Sequence, residues 1–67
     1  LNNSKVVIVE DVVSTGGSII SAISEIEKQG SKVELILSIV DREMGAREKF
    51  SKLNIKYDPL FNISELI

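Results

Sequence analysis

The chain contains 67 residues with a formal net charge of −2, and it has neither cysteine nor histidine. This length allows one small domain at most, below the usual size of a complete α/β enzyme domain. The missing residue types exclude Ser-His-Asp and Cys-His catalysis, a disulfide framework and a thiolate metal site. With one Tyr, two Phe and an acidic balance, the chain lacks the basic field and the stacking platform of nucleic-acid-binding proteins.

Apolar runs are short throughout the sequence. The longest, residues 6–9 and 35–37, have the length of strands and cannot cross a bilayer. The first residues, Leu-Asn-Asn-Ser-Lys, do not resemble a signal peptide. We therefore expect a cytoplasmic protein without a membrane partner. Because residue 1 is Leu and a hydrophobic strand follows almost at once, we also expect the chain to be part of a longer protein.

The first half of the chain has the pattern of a strand, a loop and a helix. Residues 5–10 form a β-branched run without alternation, which predicts a strand covered on both faces, as in a parallel sheet. Residues 11–18 are rich in Ser, Thr and Gly and predict a loop. Gly30 is typical of a helix end. The helix between them has an apolar face made of Ile19, Ala22, Ile23 and Ile26.

The second half repeats this alternation. Residues 33–40 are an apolar run of strand length, which predicts a parallel partner reached through a right-handed crossover. Residues 41–45 predict a polar turn. A short helix follows, with an apolar face of Ala46, Phe50 and Leu53 and with basic side chains that face water at Arg47, Lys49 and Lys52.

The last part of the chain predicts an edge strand and a final turn. Residues 55–61 have strand character, and Asp58-Pro59 makes them irregular enough to suit a sheet edge. Asn62 and Glu65 have the spacing of a capping box. The fold class is therefore α/β, a parallel-sheet β-α-β-α-β unit. Three strands and two helices leave a sheet edge and one sheet face uncovered, so we expect an incomplete domain.

Residues 10–18 carry the strongest functional signal. Glu10 and Asp11 end the predicted first strand, and ligands of open α/β sheets bind at the carboxyl ends of strands. The Ser/Thr/Gly loop after them can turn backbone N–H groups inward next to a helix N-terminus, which makes a phosphate cradle. The carboxylates can accept hydrogen bonds from vicinal sugar hydroxyls or hold Mg²⁺ through water. Together the two halves fit a phosphorylated sugar.

Each half of this pattern also has a purely structural interpretation. A Ser/Thr/Gly cluster between strand and helix is often a turn with an N-cap, and adjacent acids at a strand end are often merely solvated. The order of strand, acid pair, loop and helix favours the sugar-phosphate interpretation. The Walker and dinucleotide motifs are excluded, because the loop lacks Gly-Lys-Ser/Thr and Gly16-Gly17 lacks the Gly-x-Gly-x-x-Gly spacing.

Residues 6–18, Val-Val-Ile-Val-Glu-Asp-Val-Val-Ser-Thr-Gly-Gly-Ser, resemble the phosphoribosyl-pyrophosphate-binding motif of the type I phosphoribosyltransferases. Within that family, residues 41–43, 45–49 and 61–66 look most like the orotate phosphoribosyltransferases, including the orotate domain of bifunctional UMP synthases. The resemblance extends over nearly the whole chain. It implies that residues 1–67 are the C-terminal part of a type I phosphoribosyltransferase domain, with its Rossmann-like fold.

The resemblance also implies roles for individual residues. Glu10 and Asp11 match the acid pair that binds the ribose hydroxyls and serves catalysis, with Mg²⁺ held through water and not by direct ligands. Ser14 and Arg42 match residues that contact orotate, where a guanidinium fork suits a carboxylate. Without the resemblance, Arg42 has the character of a surface residue. The stretch that binds the phosphoribosyl pyrophosphate and its 5′-phosphate comprises Glu10, Asp11, Val12, Val13, Ser14, Thr15, Gly16, Gly17 and Ser18.

The implied reaction transfers the phosphoribosyl group of 5-phosphoribosyl-1-pyrophosphate to orotate, giving orotidine 5′-phosphate and pyrophosphate on the route to UMP. Mg²⁺ is the implied cofactor, and a homodimer is the implied assembly. Carboxylates beneath the ribose ring would stabilise the positive charge of the transition state, and these residues include no nucleophile. The family's pyrophosphate-binding elements and its flexible loop with a catalytic Lys lie N-terminal to the matched region. We therefore expect the isolated chain to be inactive.

Three other interpretations stay open at this point. A phosphoribosyltransferase for a purine or uracil would share the phosphate loop, but a neutral base does not need the cation of Arg42. A regulator of the same fold would bind the sugar phosphate without catalysis. A response-regulator receiver is the weakest, because residues 5–11 resemble its opening strand and acid pair while residues 15–18 have no explanation there.

Overall fold

The computed structural model describes residues 5–67, so the polar segment Leu1 to Ser4 lies outside the described residues. The three strands form one parallel sheet in the order β1-β2-β3. This confirms the α/β prediction, and it places the Pro59-containing strand at a sheet edge, as predicted. The elements are β1 (Lys5–Val13), α1 (Gly17–Lys28), β2 (Lys32–Asp41), α2 (Ala46–Lys52), β3 (Lys56–Asn62) and a C-terminal 3₁₀ turn (Ile63–Glu65).

The first strand is longer than the sequence predicts. It continues past the acid pair because β2 also continues, with Val12 opposite Val40 and Val13 opposite Asp41. Two β-branched valines favour this extended pairing. The prediction of a loop over residues 11–18 is therefore wrong. The acid pair lies inside β1, only residues 14–16 connect strand to helix, and Gly17 and Ser18 belong to the first turn of α1.

Both helices contribute to one apolar core against the sheet. Its fully buried side chains are Phe50, Ile36, Val13 and Val33. Ile19 and Ile23 of α1 are buried and Ile26 is half-buried, which confirms most of the predicted helix face. Two predictions are wrong: Ala22 is exposed, and Leu53, which follows the last residue of α2, is 47% exposed.

The other face of the sheet is open among residues 5–67. Val7 is 52% exposed, Val9 is 72% exposed and Leu60 on β3 is 71% exposed. The expectation that β1 is covered on both faces is therefore wrong for the part of the chain described here, whereas the expectation of an uncovered sheet face is confirmed. No helix within residues 5–67 has the length and apolar character needed to span a membrane.

The predicted end of the first helix and the predicted final turn are both observed. Gly30 has a φ of +88°, and its N–H donates to the Glu27 carbonyl at 3.1 Å, so α1 ends where the sequence indicates. At the end of the chain, the N–H of Asn62 donates to the Glu65 carboxylate at 2.8 Å, which confirms the capping-box prediction.

Candidate functional site

The loop after β1 depends on Gly16. Its φ of +83° lies in the left-handed region, where a side chain is disfavoured. A Cβ at this position would also lie 3.0 Å from Cζ of Phe50 and 3.1 Å from Cβ of Ala46. Gly16 is buried while Ser14 and Thr15 are exposed. The loop thus presents two hydroxyl side chains to solvent and lets its glycine rest on α2.

The N-terminus of α1 opens directly from this loop. The Gly16 carbonyl accepts the Ile20 N–H at 2.9 Å, which starts the helix, and the Gly17 N–H has only a long 3.4 Å contact to Oγ1 of Thr15. The first-turn N–H groups of any helix lack a preceding carbonyl partner and carry partial positive charge. The first turn contains no acidic residue. This helix end can therefore accept an anion such as a phosphate.

The acid pair lies two residues before the loop, in β1. Glu10 and Asp11 are both exposed. Glu10 also borders a cavity of about 250 Å³, which is lined otherwise by Val9, Leu37, Ser38, Ile39, Asp58 and Leu60. Within residues 5–67 no group of three or more Asp, Glu, His or Cys side chains is arranged to hold a metal ion.

Arg42 is brought to the same edge by the main chain. Its N–H donates to the Val13 carbonyl at 2.8 Å, which continues the pairing of β1 and β2 by one residue. Ser14 directly follows Val13, so the two residues predicted to contact the base lie on adjoining segments, and both are exposed. The structure therefore places the acid pair, the loop and Arg42 along one edge of the sheet, the carboxyl edge where open α/β sheets bind ligands.

A second cavity, of about 220 Å³, was not predicted. It is polar and is lined by Asp41, Glu43, Gly45, Arg47, Glu48 and Asn62. Asp41 is 3% exposed, and its Oδ1 has no hydrogen-bond partner among the described residues. The sequence did contain a signal, because Asp41 comes directly after the apolar run of residues 33–40, just as the acid pair comes directly after the apolar run of residues 6–9.

Tyr57 lies beside this cavity and connects β3 to α2. Its hydroxyl is 3.3 Å from Oγ of Ser38, and its ring meets that of Phe50 edge-on at 5.0 Å. The guanidinium carbon of Arg47 lies 5.3 Å from the centre of the Tyr57 ring. Burial raises the pKa of Tyr57, and the nearby Asp41 carboxylate raises it further. Arg47 is exposed, as predicted, but it also stacks on this ring.

The turn between β2 and α2 has an unusual backbone. Glu43 has a φ of +59°, although it is not a glycine. Its carboxylate Oε1 accepts the N–H of Ser64 at 2.7 Å. Hydrogen bonding from Ser64 lowers the pKa of Glu43. The turn that carries Arg42 is thus linked to the C-terminal 3₁₀ turn.

This parallel sheet, with an anion-accepting helix N-terminus at its carboxyl edge, is an α/β arrangement suited to phosphorylated ligands. The family model that matches residues 1–64 is described as the phosphoribosyl transferase domain. The chain belongs to this family. The predicted resemblance to the phosphoribosyltransferases is therefore confirmed.

Individual relatives agree with this assignment. The chain is 52% identical over 65 residues to an orotate phosphoribosyltransferase from Methanosphaera stadtmanae, covering 97% of this chain and 36% of the relative. The crystal structure of an orotate phosphoribosyltransferase from Aeropyrum pernix matches with a TM-score of 0.89 at 30% identity, covering 94% of this chain and 38% of that one. An adenine phosphoribosyltransferase from Leishmania donovani matches with a TM-score of 0.81 at 30% identity, covering 94% and 30%. The chain thus spans about a third of the length of these proteins.

Proposed function

We propose that residues 1–67 are the C-terminal part of the phosphoribosyltransferase domain of an orotate phosphoribosyltransferase. The enzyme transfers the phosphoribosyl group of 5-phosphoribosyl-1-pyrophosphate to orotate. The bond from C1′ to pyrophosphate breaks, a bond from C1′ to a ring nitrogen of orotate forms, and the proton of that nitrogen is released to the departing pyrophosphate or to water. The observation that carries the proposal is that Arg42 lies beside the phosphate loop, residues 14–16 with the first turn of α1, because its N–H donates a hydrogen bond to the Val13 carbonyl. The 52% identity to a relative of that name supports it.

In this proposal the loop holds the 5′-phosphate. The hydroxyls of Ser14 and Thr15 and the first-turn N–H groups of α1 donate hydrogen bonds to its oxygens. Val12 and Val13 carry the chain from the acid pair into the loop, and Gly16 lets the backbone approach α2. Holding the phosphate fixes C1′ of the ribose relative to the base, which lowers the entropic part of the barrier.

Glu10 and Asp11 bind the ribose hydroxyls and act electrostatically. Their carboxylates face solvent at the sheet edge, where a sugar can reach them. As the bond to pyrophosphate breaks, positive charge develops on the ribose ring, and fixed carboxylates beneath the ring stabilise it. No step requires a covalent bond to the protein.

Mg²⁺ fits the acid pair through water. Two exposed carboxylates supply the oxygen ligands that Mg²⁺ prefers, and the ion commonly keeps several waters and binds substrate phosphates. When bound, Mg²⁺ neutralises charge on the departing pyrophosphate. Because multiply charged sugar phosphates do not cross a bilayer unaided, we place the reaction in the cytoplasm. The family resemblance adds a homodimer to the proposal, which light scattering of the full-length gene product tests.

Arg42 and Ser14 select the base. A guanidinium pairs with the orotate carboxylate through two charge-assisted hydrogen bonds, and the Ser14 hydroxyl reaches the same ring. The likeness to an adenine phosphoribosyltransferase supports a second candidate, transfer to another base. A neutral base gains little from a guanidinium, so the contribution of Arg42 distinguishes the two candidates.

The test uses the full-length gene product that contains these residues. Calorimetric titration with Mg²⁺ compares orotidine 5′-phosphate with uridine 5′-phosphate in the wild type and in Arg42→Ala. Loss of a bidentate charged pair, at ~1.5–3 kcal/mol, weakens orotidine 5′-phosphate by roughly 10- to 100-fold and leaves uridine 5′-phosphate within about twofold. Lys49→Ala, which removes an exposed cation of α2, is the matched control. Equal binding of both nucleotides by the wild type would transfer the function to another base or to sensing without catalysis.

A further inference from the structure

The turn that carries Arg42 is attached to the rest of the molecule at two points. On one side, the Arg42 N–H donates to the Val13 carbonyl at 2.8 Å. The second point of attachment is at Glu43, the next residue, whose backbone has a φ of +59°. A non-glycine residue in the left-handed region is strained and persists only when its surroundings hold it there. The structure must therefore contain an interaction that keeps Glu43 in this conformation.

That interaction is the hydrogen bond from the Ser64 N–H to Oε1 of Glu43, at 2.7 Å. A bond from an amide to a carboxylate at this distance is charge-assisted and strong. Its donor is well fixed, because the C-terminal turn is closed by the Asn62 N–H on Glu65 at 2.8 Å and by the Leu66 N–H on the Ile63 carbonyl at 3.0 Å. Glu43 is thus tied to a preformed element.

We propose that Glu43 is a positioning residue for base recognition: by tying its turn to the C-terminal 3₁₀ turn, it fixes the direction in which the neighbouring Arg42 leaves the sheet edge. This rests on the proposed function, in which Arg42 pairs with the base carboxylate. It assigns a role in the reaction to the last residues of the chain, because Ser64 supplies the donor.

Electrostatics and positioning predict opposite effects of removing the Glu43 carboxylate on the binding of orotidine 5′-phosphate. A carboxylate beside Arg42 repels an anionic base, so its removal would tighten the binding of orotidine 5′-phosphate if electrostatics dominated. Positioning predicts that removal weakens this binding, because Arg42 then samples directions that miss the base carboxylate. The sign of the change therefore separates the two effects.

The experiment titrates orotidine 5′-phosphate and uridine 5′-phosphate into the full-length gene product carrying Glu43→Ala or Glu43→Gln. Glu48→Ala is the matched control, because it also removes one negative charge. Glu48 is exposed and, like Glu43, lines the polar cavity of about 220 Å³. Glu43→Ala should weaken orotidine 5′-phosphate about tenfold and uridine 5′-phosphate less than about twofold. Glu43→Gln keeps an oxygen acceptor and should stay within about threefold of the wild type. Glu48→Ala should leave binding unchanged or tighten it.

A second readout is amide hydrogen exchange at Arg42 and Ser64, which Glu43→Ala should accelerate. Equal weakening of both nucleotides, or tighter binding of orotidine 5′-phosphate, would overturn the positioning role. Unchanged exchange at both amides would overturn it for any base. A wild type without preference for the carboxylated nucleotide refutes the orotate function alone, and the exchange rates then decide whether Glu43 holds the turn.

Discussion

Gly16 is the position where one added methyl group should have the sharpest effect. Its φ of +83° disfavours a side chain by about 1–2 kcal/mol. The new Cβ would lie 3.0 Å from Cζ of Phe50, whose side chain is fully buried and cannot move without disturbing the core. Overpacking of this kind costs about 1–3 kcal/mol. We therefore expect Gly16→Ala to lower the free energy of unfolding by about 2–5 kcal/mol.

Urea denaturation of the full-length gene product, followed by circular dichroism, measures this loss as a lower midpoint with an unchanged slope. Gly17→Ala is the matched control, because its Cβ would meet only Oγ1 of Thr15, at an ordinary 3.7 Å. Gly17 is the first residue of α1, where alanine is tolerated well, so this variant should change stability by less than about 1 kcal/mol.

A double-mutant cycle separates the two causes at Gly16. In a Phe50→Leu background the ring edge is gone, so the steric part of the cost should fall by about 1 kcal/mol or more, while the backbone part stays. Equal costs of Gly16→Ala in both backgrounds would refute the steric contribution of the Phe50 ring. A Gly16→Ala variant as stable as the wild type would refute the reasoning as a whole.

Two further predictions concern Tyr57 and the isolated chain. Burial raises the pKa of Tyr57 above its ordinary value of 10.0, because the folded protein favours the neutral phenol. The stabilisation that this shift provides is complete below pH 10.0 and is lost as the pH rises through the raised pKa. Tyr57→Phe should therefore flatten the alkaline arm of a curve of stability against pH, and an unchanged arm would contradict this. The 67-residue chain alone should form no orotidine 5′-phosphate from its two substrates, because it spans about a third of its relatives, and measurable turnover in a spectrophotometric assay would contradict the proposal that other parts of the domain are needed.

Local signals in the sequence predicted the elements well. Proline in β3 indicated the sheet edge, Gly30 indicated the end of α1, and the Asn62 to Glu65 spacing indicated the final turn. Each of these features depends on a residue and its immediate neighbours in the chain. The end of β1 was predicted wrongly because it depends on a distant partner: the strand extends to Val13 only because β2 continues to Asp41.

The sequence predicted the parts of the candidate site that are consecutive in the chain, but not the contacts between residues that are far apart in it. The acid pair and the loop are consecutive, so their order alone indicated a sugar-phosphate site. The stacking of Arg47 on Tyr57 and the bond from Ser64 to Glu43 join residues that only the folded sheet brings together. Side chains of Arg and Glu on a short helix or turn are usually solvated, and nothing in the local pattern distinguishes the exceptions.

The short helix α2 supports both halves of the proposed site. It begins at Ala46, immediately after the turn that carries Arg42, and Ala46 and Phe50 are the side chains against which Gly16 would place a Cβ. A helix of seven residues has little stability of its own, so burial of these two side chains holds it in place. Core packing therefore helps to set the position of the loop relative to the turn that carries Arg42, together with the hydrogen bond from Arg42 to Val13. Position 16 therefore needs glycine for two separate reasons. Its positive φ disfavours any side chain, and the close approach of α2 leaves no room for a Cβ.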